Sequence, residues 1–161
     1  MSFSARLLGL GLLLASVPEA QILRAPESST RRETPGTFAL ILDSPAGKAP
    51  LALQWDLIAP AAIVIENSGI RVGGAAESAH KSLTCAVNPK APAAHGAVRF
   101  TCILAGGQGA IGNGPVALVE YRARFDLRGV PIRVAVENIT GVSAELKKVE
   151  LPNVDAILHI R

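Results

Sequence analysis

The sequence predicts an all-β fold: a two-sheet antiparallel β-sandwich with jelly-roll-like topology, about nine strands and at most one short helix. Three observations lead there. Apolar and polar residues alternate with a period of two through most of the chain after Gly36, the spacing of strands with one buried and one wet face. Gly and Pro supply 15 and 11 of the 161 residues, breaking the chain too often for a helical bundle. Hydrophobic residues make up 49% and charged residues 18%, enough apolar surface for one packed domain and too little charge for a disordered chain.

The first segment has one cation, Arg6, then an apolar run from Leu7 to Val17. That run is shorter than the roughly 20 residues a membrane-spanning helix needs, and it suits the core of a secretory signal. Residues 1–20 are therefore expected to be a cleaved signal peptide. The mature protein is expected to be secreted, extracellular or periplasmic, with no membrane span after signal removal. Residues 21–36 (QILRAPESSTRRETPG) carry Pro, Ser, Thr and charges without periodicity. They read as a flexible lead-in to a domain over 37–161. Arg31 and Arg32 read there as solvated, and the remaining cations are scattered along the chain. The net charge of +3 thus leaves no nucleic-acid footprint.

The strands follow in order. Phe38, Leu40 and Leu42 share one phase; Leu53, Trp55 and Leu57 share another, with Gln54 and Asp56 between them. Ala61–Glu66 reads as a strand and Ala75–Lys81 as one or two helical turns. Val119, Tyr121, Ala123 and Phe125 alternate with Glu120, Arg122 and Arg124. Ile132, Val134 and Val136 form the next run, 147–151 a short strand, and Val154, Ala156, Leu158 and Ile160 the last. The glycosylation-like triplet Asn138-Ile139-Thr140 falls at the end of a strand on this reading.

The two cysteines lie inside the pattern. Leu83, Cys85 and Val87 share a phase, as do Phe100, Cys102 and Leu104. One antiparallel register sets Cys85 opposite Cys102, Leu83 opposite Leu104 and Val87 opposite Phe100, with residues 88–97 as the loop. In an oxidising compartment this pair is expected to form a disulfide; the alternative is two buried free thiols.

Signals of chemistry are weak. Gly107-Gln108-Gly109-Ala110-Ile111-Gly112 matches G-x-G-x-x-G, but Asn113-Gly114-Pro115 and an alternating strand follow, where a cofactor site needs a helix. His80, His95 and His159 lie far apart, and none is near a second His or Cys at metal-ligand spacing. No serine sits in a nucleophile elbow. The sequence therefore predicts no catalytic residue, no metal and no cofactor.

The order of several segments resembles a cohesin-type module, the receptor domain of bacterial extracellular scaffold proteins. LALQWD (Leu51–Asp56) is similar to that family's strand ending in Tyr-Asp. IVIENSGIRVGGAAESAHKSLTC (Ile63–Cys85) is similar to its strand, glycine turn and short helical crossing. VRFTCILAGG and IGNGPVALVEYRARF (Val98–Gly107 and Ile111–Phe125) resemble its central strand, loop and following strand. The resemblance implies a non-catalytic sandwich that binds a dockerin-like or other secreted protein in an extracellular assembly linked to polysaccharide degradation. Related sandwiches bind polysaccharide directly, which is the alternative ligand. The implied docking face is the outward phase of two strands: Ser82, Thr84, Arg99, Thr101 and Ile103. Lys48 and Pro50 stand where the family places Asn and Asp, and Gly106-Gly107 replaces a usual acidic residue, so the implied partner is a diverged one. Sugar binding would need aromatics on the outer face, whereas Trp55 and Tyr121 share the core phase. Reversing the charge of Arg99 together with Ile103→Asp is expected to abolish capture and leave the melting temperature nearly unchanged.

Overall fold

The computed structural model describes residues 20–89, 96–124, 127 and 129–161. The expected signal segment, apart from Ala20, lies outside the described residues, as do His95 and Phe125.

Two sheets face each other across one core. The smaller contains β1 (Ile22–Arg24), β3 (Gly36–Asp43), β9 (Gly114–Ala123), β5 (Ile63–Val64) and β6 (Ile70–Val72). Its order is β1-β3-β9, with β5 and β6 one after the other along the far edge of β9. The larger sheet has the order β2-β12-β10-β4-β8-β7. These strands are β2 (Ser28–Thr30), β12 (Val154–Ile160), β10 (Ile132–Val142), β4 (Ala52–Ala59), β8 (Val98–Ala105) and β7 (Ser82–Val87). A short β11 (Lys148–Glu150) pairs with the end of β10. One helix, α1 (Gly74–Ser78), crosses beside β9.

The alternation read from the sequence is the alternation of burial. Phe38, Leu40, Leu42, Leu53, Trp55, Leu57, Tyr121, Val134, Val136 and Leu158 all point inward and are buried. Truncating one such Leu to Ala costs about 2–5 kcal/mol, because lost transfer energy and the residual cavity add. The described residues carry twelve strands where about nine are expected; the surplus is short, since β1, β2, β5, β6 and β11 have two or three residues each.

Several local expectations are corrected. The segment 21–36 is not an unstructured lead-in. Ile22 pairs with Asp43 in β1–β3, and Ser28 pairs with Leu158 in a parallel β2–β12 ladder. The outer edges of β3 and β12 carry backbone groups that need partners, and three-residue extended pieces supply them without showing any periodicity. Within Ala61–Glu66 only Ile63 and Val64 are strand; a turn closed by Ile63 N–H to the Pro60 carbonyl (3.1 Å) precedes them and a 3-10 turn at Asn67–Gly69 follows. The helix is shorter than Ala75–Lys81, because His80 adopts φ 54° and Lys81 N–H returns to the Ala76 carbonyl (3.0 Å). Gly73 precedes the helix for a steric reason: a Cβ there would lie 2.5 Å from the Pro115 carbonyl oxygen. Asn138 is not at a strand end but in the middle of β10, at a bulge between Glu137 and Thr140, with φ 53°. Asn tolerates that left-handed conformation better than most residues.

Candidate functional site on the outer face of the larger sheet

β7 and β8 pair in the register read from the sequence: Leu83 with Leu104, Cys85 with Cys102 and Val87 with Phe100. Cys85 and Cys102 are disulfide-bonded. This pairing fixes the opposite phase as well. Thr84 lies across from Ile103, and Ser82 from Ala105. The next strand continues the rows, with Gln54 opposite Ile103, Asp56 opposite Thr101 and Ile58 opposite Arg99. β10 then adds Thr140 beside Gln54 and Glu137 beside Asp56.

The five residues expected at the docking face therefore share one face, but they divide into two kinds. Ser82, Thr84 and Ile103 are exposed, and Ile103 keeps 48% of its surface open to solvent. Arg99 and Thr101 are half-buried and turned toward Asp56. Arg99 Nη1 and Asn138 Nδ2 donate to Asp56 Oδ2 at 3.0 and 2.8 Å, and the Thr101 hydroxyl donates to Oδ1 at 2.8 Å. Asn88 Nδ2 donates in turn to Thr101 Oγ1 at 3.2 Å. Glu137 stands 3.8 Å from Arg99. Side-chain exposure is only 16% for Arg99 and 14% for Asp56, so this ion pair is more shielded than a surface one.

Partial burial by itself would raise the Asp56 pKa. The hydrogen bonds from Asn138, Thr101 and Arg99, together with the Arg99 charge, outweigh it and hold the carboxyl below the ordinary carboxylate range. Asp56 is thus a fixed anion that orients a cation, a hydroxyl and an amide around itself. The sequence reading missed both Asp56 and Asn138. A signal existed for the second: the buried phase of β10 jumps from Val136 to Ile139, an odd step that only a bulge allows. The shielding of Arg99 also corrects one expectation. Reversing its charge would set an acid against Asp56, so that substitution lowers stability and cannot probe the face alone.

Elsewhere the motifs settle into structural places. The G-x-G-x-x-G segment is the loop between β8 and β9. Lys81, itself buried, donates from Nζ to the carbonyls of Gly106 and Gly107 at its start. His159 Nε2 lies 3.3 Å from Glu27 Oε2, and His80 is exposed. Among the described residues there is no group of three or more His, Cys, Asp or Glu placed to hold a metal ion. No described helix is long and apolar enough to cross a membrane. Trp55, Tyr121, Phe38 and Phe100 are all buried, so none of them offers a ring to a sugar.

No protein-family model and no curated protein sequence matches the chain. Solved structures do. A non-cellulosomal cohesin from Archaeoglobus fulgidus superposes with a TM-score of 0.65 at 11% identity, covering 89% of this chain and 92% of that one. The sixth cohesin of Acetivibrio cellulolyticus scaffoldin B, solved in complex with a dockerin, gives a TM-score of 0.67 at 9% identity, over 89% of this chain and all (100%) of its own. The cohesin module of a Clostridium perfringens family 33 glycoside hydrolase gives 0.59 at 9% identity, over 88% and 98%. At these identities the likeness is one of fold: the chain has the architecture of a cohesin-type module.

Proposed function

Starting from that cohesin-type fold, we propose that the protein is a non-catalytic binding module that captures a dockerin-like, helical protein on the outer face of its larger sheet. The observation that carries the reading is Ile103: a large apolar side chain half open to solvent, set between Thr84 and Gln54 on a face whose charged groups are already held by one another. Contact surfaces combine such an apolar centre with a polar rim. Ser82 and Thr84 supply rim hydroxyls on the β7 side. Arg99 and Thr101, anchored by Asp56, are preorganised and lose little freedom when a partner binds. In this reading the protein acts outside the cell, in an assembly connected with polysaccharide breakdown.

The test is binding of a panel of calcium-loaded dockerin modules and secreted helical proteins to the immobilised protein, by biolayer interferometry. Ile103→Asp and Thr84→Arg leave the Asp56 network intact and should each weaken capture at least about tenfold, the loss expected when one apolar anchor is replaced by an unpaired charge. The melting temperatures should stay close to that of the parent. Capture that survives both substitutions would show that a different face is used.

A further inference from the structure

One polar residue stands where the sheet pattern asks for an apolar one. Leu23 of β1 faces the core and is buried. Gln21, two residues earlier, continues the same inward phase and keeps only 9% of its surface exposed. Its side-chain oxygen Oε1 is buried without a hydrogen-bond partner. Ile22 pairs with Asp43, so one rung further the register sets Gln21 across from Ser44, a second buried polar residue whose hydroxyl has no partner. A buried, unpaired amide is costly, so glutamine at this position has a reason other than packing.

That reason lies in what precedes it. Ala20 is the only Ala, Gly or Ser between Val17, where the apolar run ends, and Ile22, where β1 begins. A secretory signal is cut after such a small residue, and a cut after Ala20 leaves β1 whole and makes Gln21 the first residue. Its terminal nitrogen is then poorly placed to carry charge. Gln21 lines a cleft with Lys48, Lys147, Lys148, Glu145 and Glu150. Glu150 is already paired with Lys148 at 3.1 Å, and Glu145 is hydrogen-bonded to Ser143 and stands in the field of Lys48 and Lys147. No carboxylate of this cleft is left over for a further cation. Burial and the lysines together favour the uncharged amine over the ammonium. An uncharged amine is a nucleophile, and on an amino-terminal glutamine the nearest electrophile is the amide carbon of its own side chain. The resulting lactam is compact and neutral, which suits an inward position better than the open residue does.

We propose that Gln21 is the amino-terminal residue of the mature protein and that it closes to pyroglutamate. The Gln21 nitrogen attacks Cδ of the same residue. The N–Cδ bond forms, the Cδ–Nε2 bond breaks, and one amine proton leaves with Nε2 as ammonia; no oxidant, reductant or second substrate enters. The closed terminus carries no charge and offers aminopeptidases no free amine. This assignment rests on the expected removal of residues 1–20 and is independent of the docking face.

The test is expression of the full chain, residues 1–161, in a secreting bacterial host, with the secreted protein read by intact mass and Edman sequencing. The mass should be that of residues 21–161 with the Cys85–Cys102 bridge, less one molecule of ammonia. Edman degradation should give no signal until pyroglutamate aminopeptidase removes the ring, and should then read from Ile22. Gln21→Asn, one carbon shorter and able to close only a strained ring, should be cut at the same place and give an open amine that is read directly. A parent mass equal to residues 21–161 with no ammonia lost would leave the signal cut standing and overturn ring closure. A first residue other than Gln21, or a chain that keeps residues 1–20, would overturn the proposal at its first step.

Discussion

Trp55 and Cys102 are cross-strand partners on β4 and β8, so the chain's single indole lies against one half of the Cys85–Cys102 bridge. Both residues are buried. A disulfide quenches a neighbouring indole, which makes Trp55 a built-in reporter of the bridge. Reduction should therefore raise Trp55 emission while the protein is still folded. It should also lower unfolding free energy by about 3 kcal/mol, since a bridge between residues 17 apart limits the unfolded chain. Urea titrations with and without reductant, followed by circular dichroism, measure the second effect. Unchanged emission on full reduction would mean that the indole and the sulfurs are not neighbours.

Asp56 should make the fold acid-sensitive. Its folded pKa is depressed, so its contribution is present above the unfolded carboxyl value, about 3.9, and is lost as pH falls toward and through the folded value. Asp56→Ala should reduce stability at neutral pH by about 2–3 kcal/mol, because Arg99 loses its nearest carboxylate while staying shielded. The gap between parent and variant should narrow below about pH 4. Denaturant midpoints at pH 7, 5 and 3 would show it; a gap constant with pH would deny Asp56 its anionic role.

Gly36 is held open by Tyr121. The two are paired across β3 and β9, and a Cβ on Gly36 would stand 2.4 Å from the ring carbon Cζ. Tyr121 is buried and its hydroxyl lies 3.1 Å from that of Ser28, so it has little room to retreat. Gly36→Ala should cost about 1–3 kcal/mol by overpacking. Tyr121→Phe, which removes only the hydroxyl contact, should cost about 1 kcal/mol. Thermal melts of the two variants test the order of the effects.

Lys81 should hold the loop before β9 in place. Lys81→Met keeps the buried stem and removes the donor to the Gly106 and Gly107 carbonyls, which costs about 1–2 kcal/mol. Amide exchange over residues 106–113 should speed up more than in the core strands. Equal protection in the variant would show that the glycine turn stands without it.

Much of the sandwich was legible because burial repeats with the strand period. Leu53, Trp55 and Leu57, or Leu83 and Cys85 against Cys102 and Leu104, need no knowledge beyond which side each residue faces, and the register followed from matching phases. The short strands were not legible. Ile22–Arg24 and Ser28–Thr30 are too brief to alternate, and their pairing is dictated by the edges of β3 and β12, which lie far along the sequence. Half of the candidate site was readable in the same way: the outward phase placed Ser82, Thr84 and Ile103 together. Its electrostatic centre was not, since Asp56 looks like any outward carboxylate until the bulge aims Asn138 at it. Arg31 and Arg32 acquire their neighbour Arg161 only through the parallel ladder.

That parallel ladder also sets how the molecule bears load. Because Ser28–Thr30 runs alongside Leu158–Ile160 in the same direction, tension applied ahead of Ser28 and beyond Ile160 slides one strand past the other. The rungs then share the strain together instead of unzipping singly. A tether attached through these two points would grip the domain by shear, and stretching it in an optical trap should register that grip as a force peak.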